Sequence, residues 1–250
     1  MKNKNRKMVW IFAAVLLIAA IVVFVLLNQS DSSKGIAYIQ KQEKLKVDDI
    51  QDTLLKKKQA ERKEAIAQGK LDVFSLVDDF VFYGDSRVMG YDVYGLLDAN
   101  RIFAGTGYTF KNVEEWDESL KNLNPSYVFI SYGINDLGLK LDEVYEYGYD
   151  GLAKEKMNHI LEIVPNAKIY LCSIIPCSPS VAQEHPAWAN YKNYNEKLKK
   201  ACSAIENCTY VDTAPLADEG NANIYSGDGI HFTKSFYTDW LNAIVDSMDN

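Results

Sequence analysis

Ser86 closes an apolar run, Phe80-Val81-Phe82-Tyr83-Gly84-Asp85-Ser86, and far downstream the chain carries Asp228-Gly229-Ile230-His231. These residues supply a nucleophile, a base and a carboxylate to orient the base. A hydroxyl attacks a carbonyl efficiently at neutral pH only when an imidazole accepts its proton. The imidazole works best when a carboxylate fixes its tautomer and steadies its positive charge. Of the three histidines, His159 falls in a predicted helix and His185 precedes a proline; only His231 has an acid three residues before it. Between these ends, Ser131-Tyr132-Gly133-Ile134-Asn135-Asp136-Leu137-Gly138 follows a second apolar run and offers the Asn135 amide to an oxyanion. A third run, Arg101-Ile102-Phe103-Ala104, leads into Gly105-Thr106-Gly107-Tyr108-Thr109, where missing Cβ atoms let backbone approach a ligand.

Short apolar runs alternating with amphipathic segments predict βα units on a parallel sheet. Strands are expected near 79–84, 101–104, 126–131, 168–174 and 208–212, with helices over 86–97, 113–122, 142–163, 186–205 and 233–248. About 180 residues suffice for one α/β domain with both sheet faces covered. Ligands of such sheets bind beyond the carboxyl ends of the strands, where Ser86, Gly107 and Asn135 all fall. Ser86 also opens a helix, so its backbone N–H lies at the positive end of the helix dipole.

The ordered set Ser86, glycine, Asn135, then Asp228 and His231 resembles the SGNH (GDSL-type) hydrolase family over about residues 72–250. The resemblance implies a flavodoxin-like three-layer sandwich around a central, mainly parallel five-stranded sheet. It implies Ser86 as nucleophile, His231 as general base and then acid, and Asp228 as its orienting partner. The oxyanion hole would combine the N–H of Ser86, a glycine N–H and the Asn135 amide. Gly107 is preferred to Gly105 as that glycine. Gly84-Asp85-Ser86-Arg87-Val88 does not match the Gly-x-Ser-x-Gly elbow of other hydrolases.

Arg87 departs from the family pattern, which more often has an aliphatic or small polar residue there. Two readings stand: a contact to an anionic substrate group, or a helix-start residue that reaches solvent or pairs with Asp85 or Asp92. Tyr108 and Tyr132, with Tyr83, Tyr91 and Tyr94, crowd near the expected site. They either stack on sugar faces or bury their rings at strand ends. Asp85 and Asp136 read as acceptors for loop N–H groups. No cofactor or metal is expected, since the cysteines lack zinc-site spacing and no phosphate-cradling glycine loop carries a lysine.

The N-terminal part has a different character. Residues 1–7 are basic, and twenty residues from Met8 to Leu27 carry no charge, about the length a helix needs to cross a hydrocarbon core. Residues 8–28 therefore read as a transmembrane helix, with the N-terminus cytoplasmic by the positive-inside rule and the remainder outside the cell. A cleaved signal peptide is the competing reading, although no small-x-small site follows the run. Residues 29–70 read as a charged helical stalk without a sustained heptad, and 71–250 as the catalytic domain. Residues 1–70 hold 14 basic and 7 acidic residues, leaving 13 basic and 27 acidic in the remainder, a net −14. Such a surface excludes nucleic acid as a partner. Outside the cell disulfides persist; of the three ways to pair the four cysteines, joining Cys172 to Cys177 and Cys202 to Cys208 makes the shortest loops, and unpaired buried cysteines are the other reading.

The expected protein is a serine esterase at the cell membrane that removes a small acyl group, acetyl first, from a small-molecule or glycan ester. Rival readings are an O-acyltransferase to a surface glycan, a lipase or thioesterase, and a catalytically silent binding protein. Oligomeric state is left open.

Overall fold

The computed structural model describes residues 16–25, 35–36, 38–39, 47–217 and 222–249. The chain divides into two units, Met1–Lys58 and Gln59–Asn250. In the first, residues 16–25 are helical with exposed apolar side chains. Among the described residues no helix is long and apolar enough to cross a membrane. Residues 8–15 and 26–28 of the expected span lie outside the described residues, as do residues 1–7.

Within the expected stalk, residues 29–34, 37 and 40–46 lie outside the described residues, and residues 47–67 form a helix, α1 (Val47–Ala67), that is not solvated throughout. From Gln59 onward this segment belongs to the second unit. Arg62 is 8% exposed and pairs with Asp246 and, at 2.8 Å, with Asp249. Ile66 packs against the core. The boundary thus falls twelve residues before the expected one, because two carboxylates and an apolar face near the C-terminus hold the end of α1. A charge-rich sequence did not disclose that tertiary anchoring.

The second unit is built on five parallel strands, β1 (Phe80–Gly84), β2 (Ile102–Ala104), β3 (Tyr127–Ser131), β4 (Lys168–Cys172) and β5 (Cys208–Val211), in the order β2-β1-β3-β4-β5. Alternate side chains of a strand point to opposite faces, so each face needs its own cover. Val81, Tyr83, Val128, Ile130, Ile169 and Leu171 form one core with helices Gly148–Ile163 and Tyr191–Ser203. Phe80, Phe82, Phe129, Tyr170 and Cys172 form the other, with α2 (Ser86–Val93) and the C-terminal helix Phe236–Met248. The result is the expected three-layer α/β sandwich.

Several helices are shorter than expected, with local causes. Residues 113–122 divide into a 3₁₀ segment, Phe110–Trp116, and a helix, Asp117–Leu123, which ends where Asn124 turns left-handed at φ 42°. The stretch from 142 breaks before Gly148, at φ +68°.

The cysteine expectation is half corrected. Cys202 and Cys208 are bonded, tying the end of the Tyr191–Ser203 helix to the start of β5. Cys172 and Cys177 are free and buried. Cys172 points into the core under the C-terminal helix, where burial pushes its thiol up to about 12. Cys177 lies past the strand end near the Arg87 charge. Sequence proximity suggested a bond, but Cys172 ends β4 and Cys177 lies in the loop beyond it, and the two stay unbonded.

Candidate active site

Ser86 is the first residue of α2, separated from β1 only by Asp85. Asp85 caps this helix, its Oδ1 accepting the Arg87 N–H at 2.9 Å, a role that Ser, Asn and Asp side chains fill by accepting an orphan N–H of the first turn. The sharp turn from strand to helix leaves the Ser86 hydroxyl at the carboxyl end of the sheet. Burial raises the Asp85 carboxyl above its ordinary value, against the pull of the Arg87 charge.

The His231 ring meets Ser86 there: Nε2 is 2.9 Å from Ser86 Oγ, and Nδ1 is 2.6 Å from Asp228 Oδ2. The other Asp228 oxygen accepts the N–H groups of Ile230 and His231 and the Ser226 hydroxyl, each at 2.9 Å. Burial alone would raise the Asp228 carboxyl, but the His231 ring, the two backbone N–H groups and Ser226 outweigh it and hold it well below the usual carboxylate range. An aspartate so held stays ionised and fixes the tautomer in which His231 Nε2 can accept a proton.

The loop that carries the pair is closed on itself. Tyr225 and Phe232 form an antiparallel bridge, and Ser226 N–H donates to the His231 carbonyl at 2.7 Å. Gly229 turns left-handed at φ +68°, where a Cβ would run into the Ser178 hydroxyl and Val181. Its carbonyl accepts the Ser178 N–H at 2.8 Å, which docks the loop on the segment after β4. Ser226 was not singled out in the sequence. Its signal is a hydroxyl two residues before an aspartate, the spacing of a local side-chain turn.

Asn135 lies in the short helix Ile134–Gly138 after β3. Its Nδ2 donates to the Tyr108 carbonyl at 2.9 Å, which uses one of its two amide hydrogens and leaves the second for a ligand. Next to it, the Asp136 Oδ1 accepts the Phe110 N–H at 3.1 Å. Asn135 and Asp136 thus pin the loop after β2 that carries Gly107. Burial is the main reason the Asp136 carboxyl is pushed up to about 7. Both Asp85 and Asp136 act as the expected N–H acceptors.

Gly107 has φ +77° and open space where a Cβ would stand, whereas Gly105 sits beneath the Tyr108 ring. Two other expectations change. Tyr132 is 2% exposed and packs at 5.1 Å on Phe110, so its ring belongs to the core rather than to a sugar platform. Arg87 is 4% exposed, so it neither reaches solvent nor offers its charge to a passing substrate. Tyr108 is half-buried and donates its hydroxyl to Glu115 at 2.5 Å. Among the described residues no cluster of His, Cys, Asp and Glu could hold a metal ion.

A serine at a strand end, an imidazole on its hydroxyl and a carboxylate behind the imidazole, on a five-stranded parallel sheet, define a serine hydrolase of α/β type. The sequence model of the GDSL-like lipase/acylhydrolase family matches residues 82–238, and the chain belongs to that family. No curated protein matches the sequence. Among solved structures, a GDSL-like lipase from Bacteroides thetaiotaomicron is 18% identical at a TM-score of 0.50, covering 75% of this chain and 96% of its own. An acetyl xylan esterase from Geobacillus stearothermophilus is 20% identical at 0.50, covering 68% and 93%. A family 3 carbohydrate esterase from Clostridium thermocellum is 18% identical at 0.51, covering 68% and 94%. At these identities the neighbours share the fold. The chain is a serine esterase of the acylhydrolase kind.

Proposed function

We propose that this esterase removes a small acyl group, acetyl first among them, from a carbohydrate, and that it works outside the cell on a membrane anchor. Ser86 attacks the ester carbonyl while His231 Nε2 takes its proton. The tetrahedral oxyanion receives hydrogen bonds from the N–H groups of Ser86 and Gly107 and from the second amide hydrogen of Asn135. Collapse expels the alcohol, protonated by His231, and leaves an acyl-Ser86 that water resolves by the same proton route in reverse. The observation that carries this reading is the unbroken relay from Ser86 Oγ through His231 to Asp228, at 2.9 and 2.6 Å.

Beside the Asp228 loop, though lined by neither Ser86 nor His231, an open cleft of about 640 Å³ with Trp188, Tyr191 and Tyr225 among polar groups gives room next to the relay for the alcohol part of a carbohydrate ester. Aromatic faces beside hydrogen-bonding groups suit a polyhydroxylated ring. Two of the structural neighbours act on carbohydrate esters by name. The extracytoplasmic location is supported by the uncharged run behind a basic N-terminus and by the Cys202–Cys208 bond.

The test is hydrolysis of an aryl acetate and of acetylated xylo-oligosaccharides by the full chain and its Ser86→Ala variant, followed by mass spectrometry. Release of acetate from both substrates by the parent, lowered at least about 10³-fold in the variant, is expected. Undiminished turnover in Ser86→Ala overturns the mechanism. Acetate release from the aryl ester alone overturns the carbohydrate reading, and acetyl groups gained by an acceptor glycan would assign the protein to acyl transfer instead.

A further inference from the structure

The residue after the nucleophile and the residue after the base lie against each other. The Arg87 guanidinium carbon is 4.9 Å from the centre of the Phe232 ring, so Ser86-Arg87 and His231-Phe232 meet twice, once through the hydroxyl and imidazole and once through the cation and ring. Arg87 Nη1 donates to the Ile175 carbonyl in the loop after β4. Its Nε and Nη2 have no hydrogen-bond acceptor among the described residues; around the cation lie the Phe232 ring, the Asp85 carboxyl, and Cys177, Tyr225 and Tyr237. The backbone at Arg87 is fastened as well: its N–H donates to Asp85 and its carbonyl accepts the Tyr237 hydroxyl at 2.8 Å. On the other side, the Phe232 carbonyl accepts the Tyr94 hydroxyl at 3.1 Å.

A buried cation is costly unless its surroundings repay it. An apolar side chain of similar length would fill the same space without that cost. What only the guanidinium supplies, from the nucleophile's own turn, is a hydrogen bond to the loop after β4 together with a cation–ring contact to the loop that carries His231. A cation over an aromatic face in a water-poor site is among the stronger forms of this contact. Because both partners are adjacent in sequence to the reacting groups, a small shift of either is passed directly to the distance between Ser86 Oγ and His231 Nε2.

We infer that Arg87 is a positioning residue of this esterase: clamped on the Ile175 carbonyl, its guanidinium seats the Phe232 ring and thereby fixes the His231 imidazole on the Ser86 hydroxyl. The inference rests on the Ser86–His231 mechanism given above.

The experiment compares steady-state hydrolysis of an aryl acetate by the full chain carrying Arg87→Met, Arg87→Lys, Phe232→Leu, or Arg87→Met with Phe232→Leu, with near-ultraviolet circular dichroism on each. Misplacing a base by a fraction of an ångström to an ångström costs up to about 100-fold in rate. Arg87→Met is therefore expected to lower kcat about 10- to 100-fold with KM within about twofold. Arg87→Lys, which keeps the cation, should recover part of that loss. Phe232→Leu should lower kcat in the same way, and the double variant should be no slower than Arg87→Met alone, because both remove one contact. Parental kcat in Arg87→Met, or losses that multiply in the double variant, overturn the inference. If Arg87→Met does not fold, Phe232→Leu and Arg87→Lys decide: reduced kcat at constant KM in the folded proteins supports the contact, and parental kcat in both overturns it. Undiminished activity in Ser86→Ala would instead remove the mechanism on which the inference stands, so the two failures are told apart.

Discussion

Asp136 shows how a carboxyl that takes no part in proton transfer still sets the behaviour of the site. It is fully buried, it holds the Phe110 N–H, and burial pushes it up to about 7. In the unfolded chain the same group releases its proton at about 3.9. Between these values the native state holds a proton that the unfolded state has lost, so stability falls as pH rises through the window and levels off above about 7. One such group contributes a slope of at most about 1.4 kcal/mol per pH unit. Asp136→Asn keeps an oxygen for Phe110 and carries no charge. Relative to the parent, its stability in urea should therefore rise by about 1 kcal/mol or more from pH 5 to pH 8; a difference that stays constant with pH would contradict the assignment. Asp228 is the opposite case, a depressed carboxylate whose contribution is fully present above its unfolded value and is lost progressively as pH falls below it toward the folded value. Ser86, His231 and Asp228 were legible in the sequence because their chemistry demands fixed residue types in a fixed order. Arg87 and Tyr132 were not, because a polar side chain beside a motif looks the same whether it faces a ligand or the core.

The strands were legible as short apolar runs, and all five fall within two residues of their expected bounds. The helices were less so, since their ends are set by single residues with positive φ, such as Asn124 and Gly148, and by packing that periodicity does not record. Gly133 is the clearest element-level constraint on the site. At φ +144°, with Ile174 where a Cβ would stand, it lets β3 turn into the Ile134–Gly138 helix that presents Asn135. The cysteines mark the limit of reading by spacing: the pair six residues apart bridges a helix end and a strand start, whereas the pair five apart does not bond. Thiol titration should accordingly find two free cysteines, Cys172 and Cys177, reactive only after unfolding. Four reactive thiols without reductant, or none, would contradict this pairing.

Across the whole molecule, the sequence divides a basic, apolar N-terminal part from an acidic remainder, and the second unit begins at Gln59 rather than after residue 70. The acidic remainder suits a neutral or cationic substrate better than an anionic polymer. Each segment of the site has its own part in the chemistry. β1 leads through Asp85 into the nucleophile, the Asn135 helix after β3 is bound to the loop after β2 at Tyr108, and the loop before the C-terminal helix returns His231 to the same rim. Activation of Ser86 depends on that return, and covalent labelling reads it without a substrate. A fluorophosphonate should attach to Ser86, located by peptide mass spectrometry, and the attachment should slow at least about 10²-fold in His231→Ala. Labelling at another residue, or labelling of Ser86 at an unchanged rate without His231, would contradict the pairing of serine and histidine as nucleophile and base.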